Sequence, residues 1–166
     1  MSYSIGGADG PTSVFIAGQT GENWINIFGF IIIILMLLPN LIYAFYYRGQ
    51  ENKVVNKGMN LMEQIGRYAS MFLMVFHIGI AEFGFCSVNA FLMYGVGNVI
   101  LLIAYWVAWM LYFIEPKLWK SMALAIIPIG IFLLSGIALR HFLLIISGVI
   151  FGISHIYITF KNARDI

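Results

Sequence analysis

Five side chains stand out because they are polar where their neighbours are not. Asn40, His77, Glu82, Asn98 and His155 each fall inside a run of apolar residues, and Cys86 sits near the end of one. Ionisable and amide groups are expensive in hydrocarbon, so each marks either ion or proton handling or a buried hydrogen bond. Glu82 and Asn98 are the most suggestive pair. Counting from the ends of the apolar runs, at ~1.5 Å of rise per residue, both lie roughly 10 Å deep. A carboxyl and an amide at one depth describe either a structural hydrogen bond between two helices or, with Asp9, a small cation or proton site.

His77 and Cys86 raise a second chemistry, that of a membrane cysteine peptidase. Nine residues turn a helix through roughly 900°, which leaves the two side chains on opposite faces. A nucleophile needs its base within hydrogen-bond reach, so this reading requires a histidine from another subunit. A single cysteine also excludes an intramolecular disulfide framework, and no zinc-ligand spacing or other metal set is present.

The elements that must position these residues follow from composition. Of 166 residues, 61% are hydrophobic and 10% charged, too few polar groups to cover a soluble globule. An all-α, polytopic membrane protein is expected, with lipid as its solvent and no nucleic-acid partner. Five stretches are long enough to span, at about 25–47, 68–88, 91–113, 119–139 and 142–160. The first carries no basic region before it and is expected to be retained rather than cleaved.

Eight of the nine Lys and Arg residues fall on one side of this arrangement: Arg48, Lys53, Lys57, Arg67, Lys117, Lys120, Lys161 and Arg164, with only Arg140 on the other. The positive-inside rule then places the N-terminus outside and the C-terminus in the cytoplasm. Between the first two spans, Val55, Met59, Met62 and Ile65 alternate at helical spacing with Lys53, Lys57, Asn60, Gln64 and Arg67. That pattern predicts an amphipathic helix over 53–67 lying on the inner leaflet. The second and third spans, joined by a short link, are expected to be antiparallel neighbours.

Two further patterns concern packing. Tyr94, Asn98, Tyr105, Trp109 and Tyr112 share one face of the third span, as a seam against another helix or as a lined path. Gly148 and Gly152 form a G-x-x-x-G that lets backbones approach closely, within the bundle or across a homodimer. Pro39 and Pro128 are expected to kink their helices.

The first 24 residues form a separate, extracytoplasmic segment. Asp9-Gly10-Pro11 is a turn suited to start a short helix ending at Gly18. Here Gly6-Gly7-Ala8-Asp9-Gly10-Pro11-Thr12, followed by Val14-Phe15-Ile16, resembles the GGADGPT signature of the β subunit of sodium-translocating carboxylic-acid decarboxylases. The resemblance implies a sodium-facing role for Asp9 and a sodium ion as ligand; no other cofactor is expected.

The reading that follows is a small, multi-pass protein of a bacterial inner membrane, without catalysis of its own, serving as a transport-associated or partner-binding subunit. Its alternatives are a sodium- or proton-linked component using Asp9, Glu82 and Asn98, and the cysteine peptidase. A homo-oligomer or a membrane-protein partner is expected in each case.

Overall fold

A computed structural model describes residues 24–46, 56–78 and 84–164. The described residues are helical, with five helices among them: α1 (Ile27–Tyr46), α2 (Lys57–Val75), α3 (Val88–Ile114), α4 (Leu118–Ala138) and α5 (Phe142–Ala163). Four of these, all but α2, are long and apolar enough to cross a bilayer. The expected short helix near Pro11, with Asp9, lies outside the described residues, as does Glu82.

The starts of α1, α2 and α3 are set by polar caps. Asn26 accepts the Gly29 amide on Oδ1 at 3.0 Å, Asn56 accepts the Gly58 and Met59 amides, and Ser87 accepts that of Ala90. These side chains take up helix N–H groups that have no partner within the helix. Pro116 ends α3, since the residue before a proline is pushed out of the helical region, and Glu115 is extended. Buried Lys120 then donates from Nζ to the Leu111 and Glu115 carbonyls, at 2.8 and 2.7 Å. A cation thereby covers the negative end of α3.

The second helix corrects the expected boundaries. A span over 68–88 and a separate surface helix over 53–67 are replaced by one helix, Lys57–Val75, which ends thirteen residues early. The apolar run continues past Val75, but the backbone there is claimed by another segment. Asn26 N–H donates to the Val75 carbonyl at 2.7 Å and His77 N–H to the Trp24 carbonyl at 3.0 Å, making a short antiparallel bridge between Ile25 and Phe76. The amphipathic pattern is real, but it faces the other way. Glu63, Gly66, Ser70 and Met74 are buried, whereas Leu61, Met62, Ile65 and Phe72 are exposed. In a bilayer the small and polar stripe turns inward and the large apolar residues meet lipid, the reverse of a water-soluble helix.

The helices form a ring in the order α1–α2–α5–α4–α3. Helices α2 and α3 are therefore not neighbours, contrary to expectation; α5 and α4 stand between them. Small residues mark the seams of the ring. A β-carbon on Gly66 would lie 2.7 Å from the Phe151 amide nitrogen, and Ser70 Oγ donates to Ser147 Oγ at 3.1 Å across the α2–α5 seam. Gly148 and Gly152 face Leu133 and Ile129 on α4, so this glycine pair serves packing inside the bundle. One end of the ring holds Lys57, Lys117, Lys120, Lys161 and Arg164, and is called the basic end below.

Pro39 is accommodated by a neighbour. It has no N–H to give the Leu35 carbonyl, and the Trp106 indole Nε1–H of α3 takes that place at 3.1 Å. Trp106→Phe should therefore destabilise the protein by about 1 kcal/mol. Pro39→Ala restores the backbone donor, so in that background the same change should have little further effect. Unfolding in a mild detergent measures both, and full additivity of the two changes would refute the pairing.

At the opposite end, one residue closes two helices. Helix α4 ends with Arg140 in the left-handed region (φ 56°), the His141 amide donating back to the Gly136 carbonyl at 2.8 Å. His141 Nδ1 then accepts the Leu144 amide at 3.2 Å, capping α5. The ring lies in the link between helices, fully buried, with its centroid 6.3 Å from that of His77. Burial holds its pKa below the ordinary value, with the nearby His77 adding to the shift and a hydrogen bond to the Phe76 backbone opposing it. An unfolded chain takes up this proton below a pH of about 6.5, while the folded protein resists it. Stability contributed by His141 is therefore full above that pH and declines as the pH falls. Thermal unfolding at pH 8 and pH 5 should show acid destabilisation, and His141→Asn, which still caps, should reduce it.

Candidate functional site

The five helices do not fill the interior at the basic end. They leave an open-sided cavity of about 620 Å³ reaching from Asn162 and Ser121 to mid-bundle, with every helix contributing to its wall. The wall is built in tiers by the helical repeat. Asn40 of α1, Arg67 of α2 and His155 of α5 form a polar tier. One turn further from the basic end on the same helices stand Met36, Met71 and Phe151, an apolar tier completed by Phe132 of α4. Tyr43, Tyr105, Trp109 and Tyr112 line the side between α1 and α3.

The polar tier is backed by one carboxylate in close contact with two partners. Glu63, whose side chain is 8% exposed, accepts from Arg67 one turn along the same helix, and its Oε1 also lies 3.0 Å from His155 Nδ1. His155 is stacked on Phe151, with ring centroids 4.7 Å apart. Arg67 is more open, at 39%, and lines the cavity while Glu63 stands behind it. On the α1 side, Asn40 Nδ2 donates to the Met36 carbonyl at 2.9 Å and to the Tyr105 hydroxyl at 2.8 Å.

The residues singled out from sequence divide around this site. Asn40 and His155 belong to it. Asn98 does not: it is 1% exposed and its Nδ2 donates to the Tyr94 carbonyl at 2.8 Å and to Ser135 Oγ at 3.1 Å, tying α3 to α4. The described contacts of Asn98 are thus with α3 and α4. His77 lies at the opposite end, beside His141. Cys86 is exposed in the link before α3. The aromatic stripe of the third span splits: Tyr94 accepts from Asn26 Nδ2 at 3.1 Å, while Tyr105, Trp109 and Tyr112 reach the cavity. Two residues of the site, Glu63 and Arg67, escaped the sequence reading as a pair, although opposite charges four apart on a helix were a signal for it. Among the described residues, no cluster of His, Cys, Asp and Glu suited to a metal ion occurs.

A protein-family model, Vps55 (vacuolar protein sorting 55), matches residues 1–117, from the N-terminal segment to the turn after α3. The chain belongs to the Vps55 family. No curated protein and no solved structure matches it. The family match takes in the Gly6–Thr12 stretch and extends far beyond it, so the likeness to decarboxylase β subunits is a local one and does not give the family. The sodium-facing role for Asp9 rested on that likeness and loses its support. So does the expectation of a specifically bacterial protein, which nothing in the Vps55 match supports. What stands is a small, helical integral membrane protein of this family.

The carboxylate behind the polar tier makes a stability prediction. Glu63→Leu leaves Arg67 without its acceptor and removes the carboxylate beside His155, and should lower unfolding free energy by about 1–3 kcal/mol. The double change Glu63→Leu/Arg67→Met removes the stranded guanidinium and should recover much of that loss. Denaturation of the two variants in detergent decides it, and a double variant no better than the single would contradict the pairing.

Proposed function

We propose that this protein is a membrane-embedded component of vacuolar protein sorting that works by binding a partner rather than by catalysis. The observation that carries the reading is the Vps55 match over residues 1–117, which spans three of the five helices. The fold is consistent with it. The bundle presents broad apolar surfaces, such as Leu92, Val96, Val99, Ile103 and Met110 along α3, and several of its inward polar groups are spent on helix-to-helix hydrogen bonds. The basic end, by the positive-inside rule, faces the cytoplasm.

The experiment is complementation. In a vacuolate cell deleted for its own family member, expression of this chain should restore delivery of a soluble vacuolar hydrolase that is otherwise secreted. A stably inserted protein at normal abundance that leaves the hydrolase in the medium would refute the reading.

A further inference from the structure

We propose that the cavity at the basic end binds a single-tailed anionic amphiphile, its acidic head against Arg67 and His155 and its apolar tail against Met36, Met71 and Phe151. The inference is independent of the sorting role and rests on the cavity alone.

Size comes first. A volume of about 620 Å³ falls inside the range of about 300–1,000 Å³ typical of small-molecule sites. The order of the tiers sets the orientation. Asn40, Arg67 and His155 lie nearer the basic end, and Met36, Met71 and Phe151 lie one turn deeper on the same three helices. A molecule with one polar end and one apolar end matches both tiers when its tail enters first.

Charge sets the sign of the head. Among the described residues lining the cavity there is no carboxylate, and the one permanent charge is Arg67. A guanidinium carries five N–H donors in a planar fork, and the Glu63 contact uses Nη2 alone. The fork geometry suits a carboxylate or phosphate. Glu63 fixes the guanidinium from behind without itself lining the cavity. Lys161 and Arg164 stand at the same end, where Lys117 is paired with Glu115 at 3.0 Å, and this excess of basic groups favours entry of an anion over a cation. Arg67 already has Glu63 as its counter-ion through Nη2; a neutral or cationic amphiphile would match the deep tier equally well but would bring no anionic acceptor to the rest of the guanidinium fork.

One head chemistry has two sources here: an acidic single-chain lipid drawn from the bilayer, or a free carboxylate from solution. The test uses full-length protein reconstituted in zwitterionic bilayers, with thermal unfolding followed in octanoate, octylammonium and octanol. Octanoate should raise the melting temperature in a saturable way, as expected of a ligand bound only by the folded state, and the other two should not. Glu63→Leu/Arg67→Met should weaken the octanoate effect by about tenfold or more, the size expected for loss of a charge-assisted hydrogen bond. Met71→Trp, which fills the deep tier and leaves Glu63, Arg67 and His155 in place, should abolish the effect.

Native mass spectrometry of protein purified from its membrane then separates the sources. A retained single-chain acidic lipid, absent from the double variant, assigns the membrane as source. Bare protein that responds to octanoate assigns a soluble carboxylate. Equal stabilisation by octanoate and octylammonium, or an octanoate effect that survives both substitutions, would overturn the proposal.

Discussion

The rest of the bundle depends on how closely α5 is approached by its two neighbours. In lipid, burying an apolar side chain between helices gains little, because the hydrocarbon it leaves is as apolar as the protein it enters. Contact must then come from backbone proximity and van der Waals packing. Helix α5 supplies this on two faces: α2 meets it with Gly66 against the Phe151 backbone, and Gly148 and Gly152 admit Leu133 and Ile129 of α4. With α2, α5, α4 and α3 drawn together, α1, which carries Met36, Asn40 and Tyr43, is held further off. The cavity is the space this difference leaves.

Buried hydrogen bonds then fix the register of what packing has brought together. Ser70 with Ser147, Asn98 with Ser135, Asn40 with Tyr105 and Asn26 with Tyr94 each join two different elements at one height. Measured bonds of this kind between membrane helices average about 0.6 kcal/mol, so together they decide alignment more than total stability. The same economy explains Trp106 at the Leu35 carbonyl and Lys120 at the end of α3. With no water in the hydrocarbon, a carbonyl released by a proline needs a protein donor, and one at a helix end is best served by one.

Much of the fold was legible because the apolar runs of α1, α3, α4 and α5 are long and end at prolines, charges or polar caps. Helix α2 was not, for two separate reasons. Its end at Val75 is set by pairing with Trp24 and Asn26, residues some fifty positions away, and no local pattern carries that information. Its amphipathic stripe was readable, but a stripe does not say whether water or lipid lies outside it. The cavity was still less visible, since its wall takes residues from all five helices and depends on the order of helices around the ring. Asn40 and His155 were found because a polar residue in an apolar run is conspicuous, whereas Arg67 sat in a segment already polar and was read only as part of its basic face, with Glu63 unmarked beside it. Asn26 had a usable signal, an amide three residues before Gly29 at the start of an apolar run, which is the spacing of an N-cap.

The two ends of the bundle are closed by different means, and this gives the structure a direction. At the end away from the basic residues, backbone pairs with backbone: Asn26 with Val75, His77 with Trp24, Gly84 with Leu139, and His141 with Gly136. Those bonds bind the starts of α1 and α5 to the ends of α2 and α4, and every one of them is short in side-chain freedom. At the basic end the described links run through long side chains, Lys120 to the end of α3 and Arg67 and His155 to Glu63. Side chains with several rotatable bonds adjust at lower strain than paired backbones do. Helix α1, which meets α2 and α3 less extensively than α5 meets its neighbours, is thus pinned at one end and carries the Asn40 and Tyr43 wall of the cavity at the other. A ring built in this way places its adaptable half where its polar interior lies.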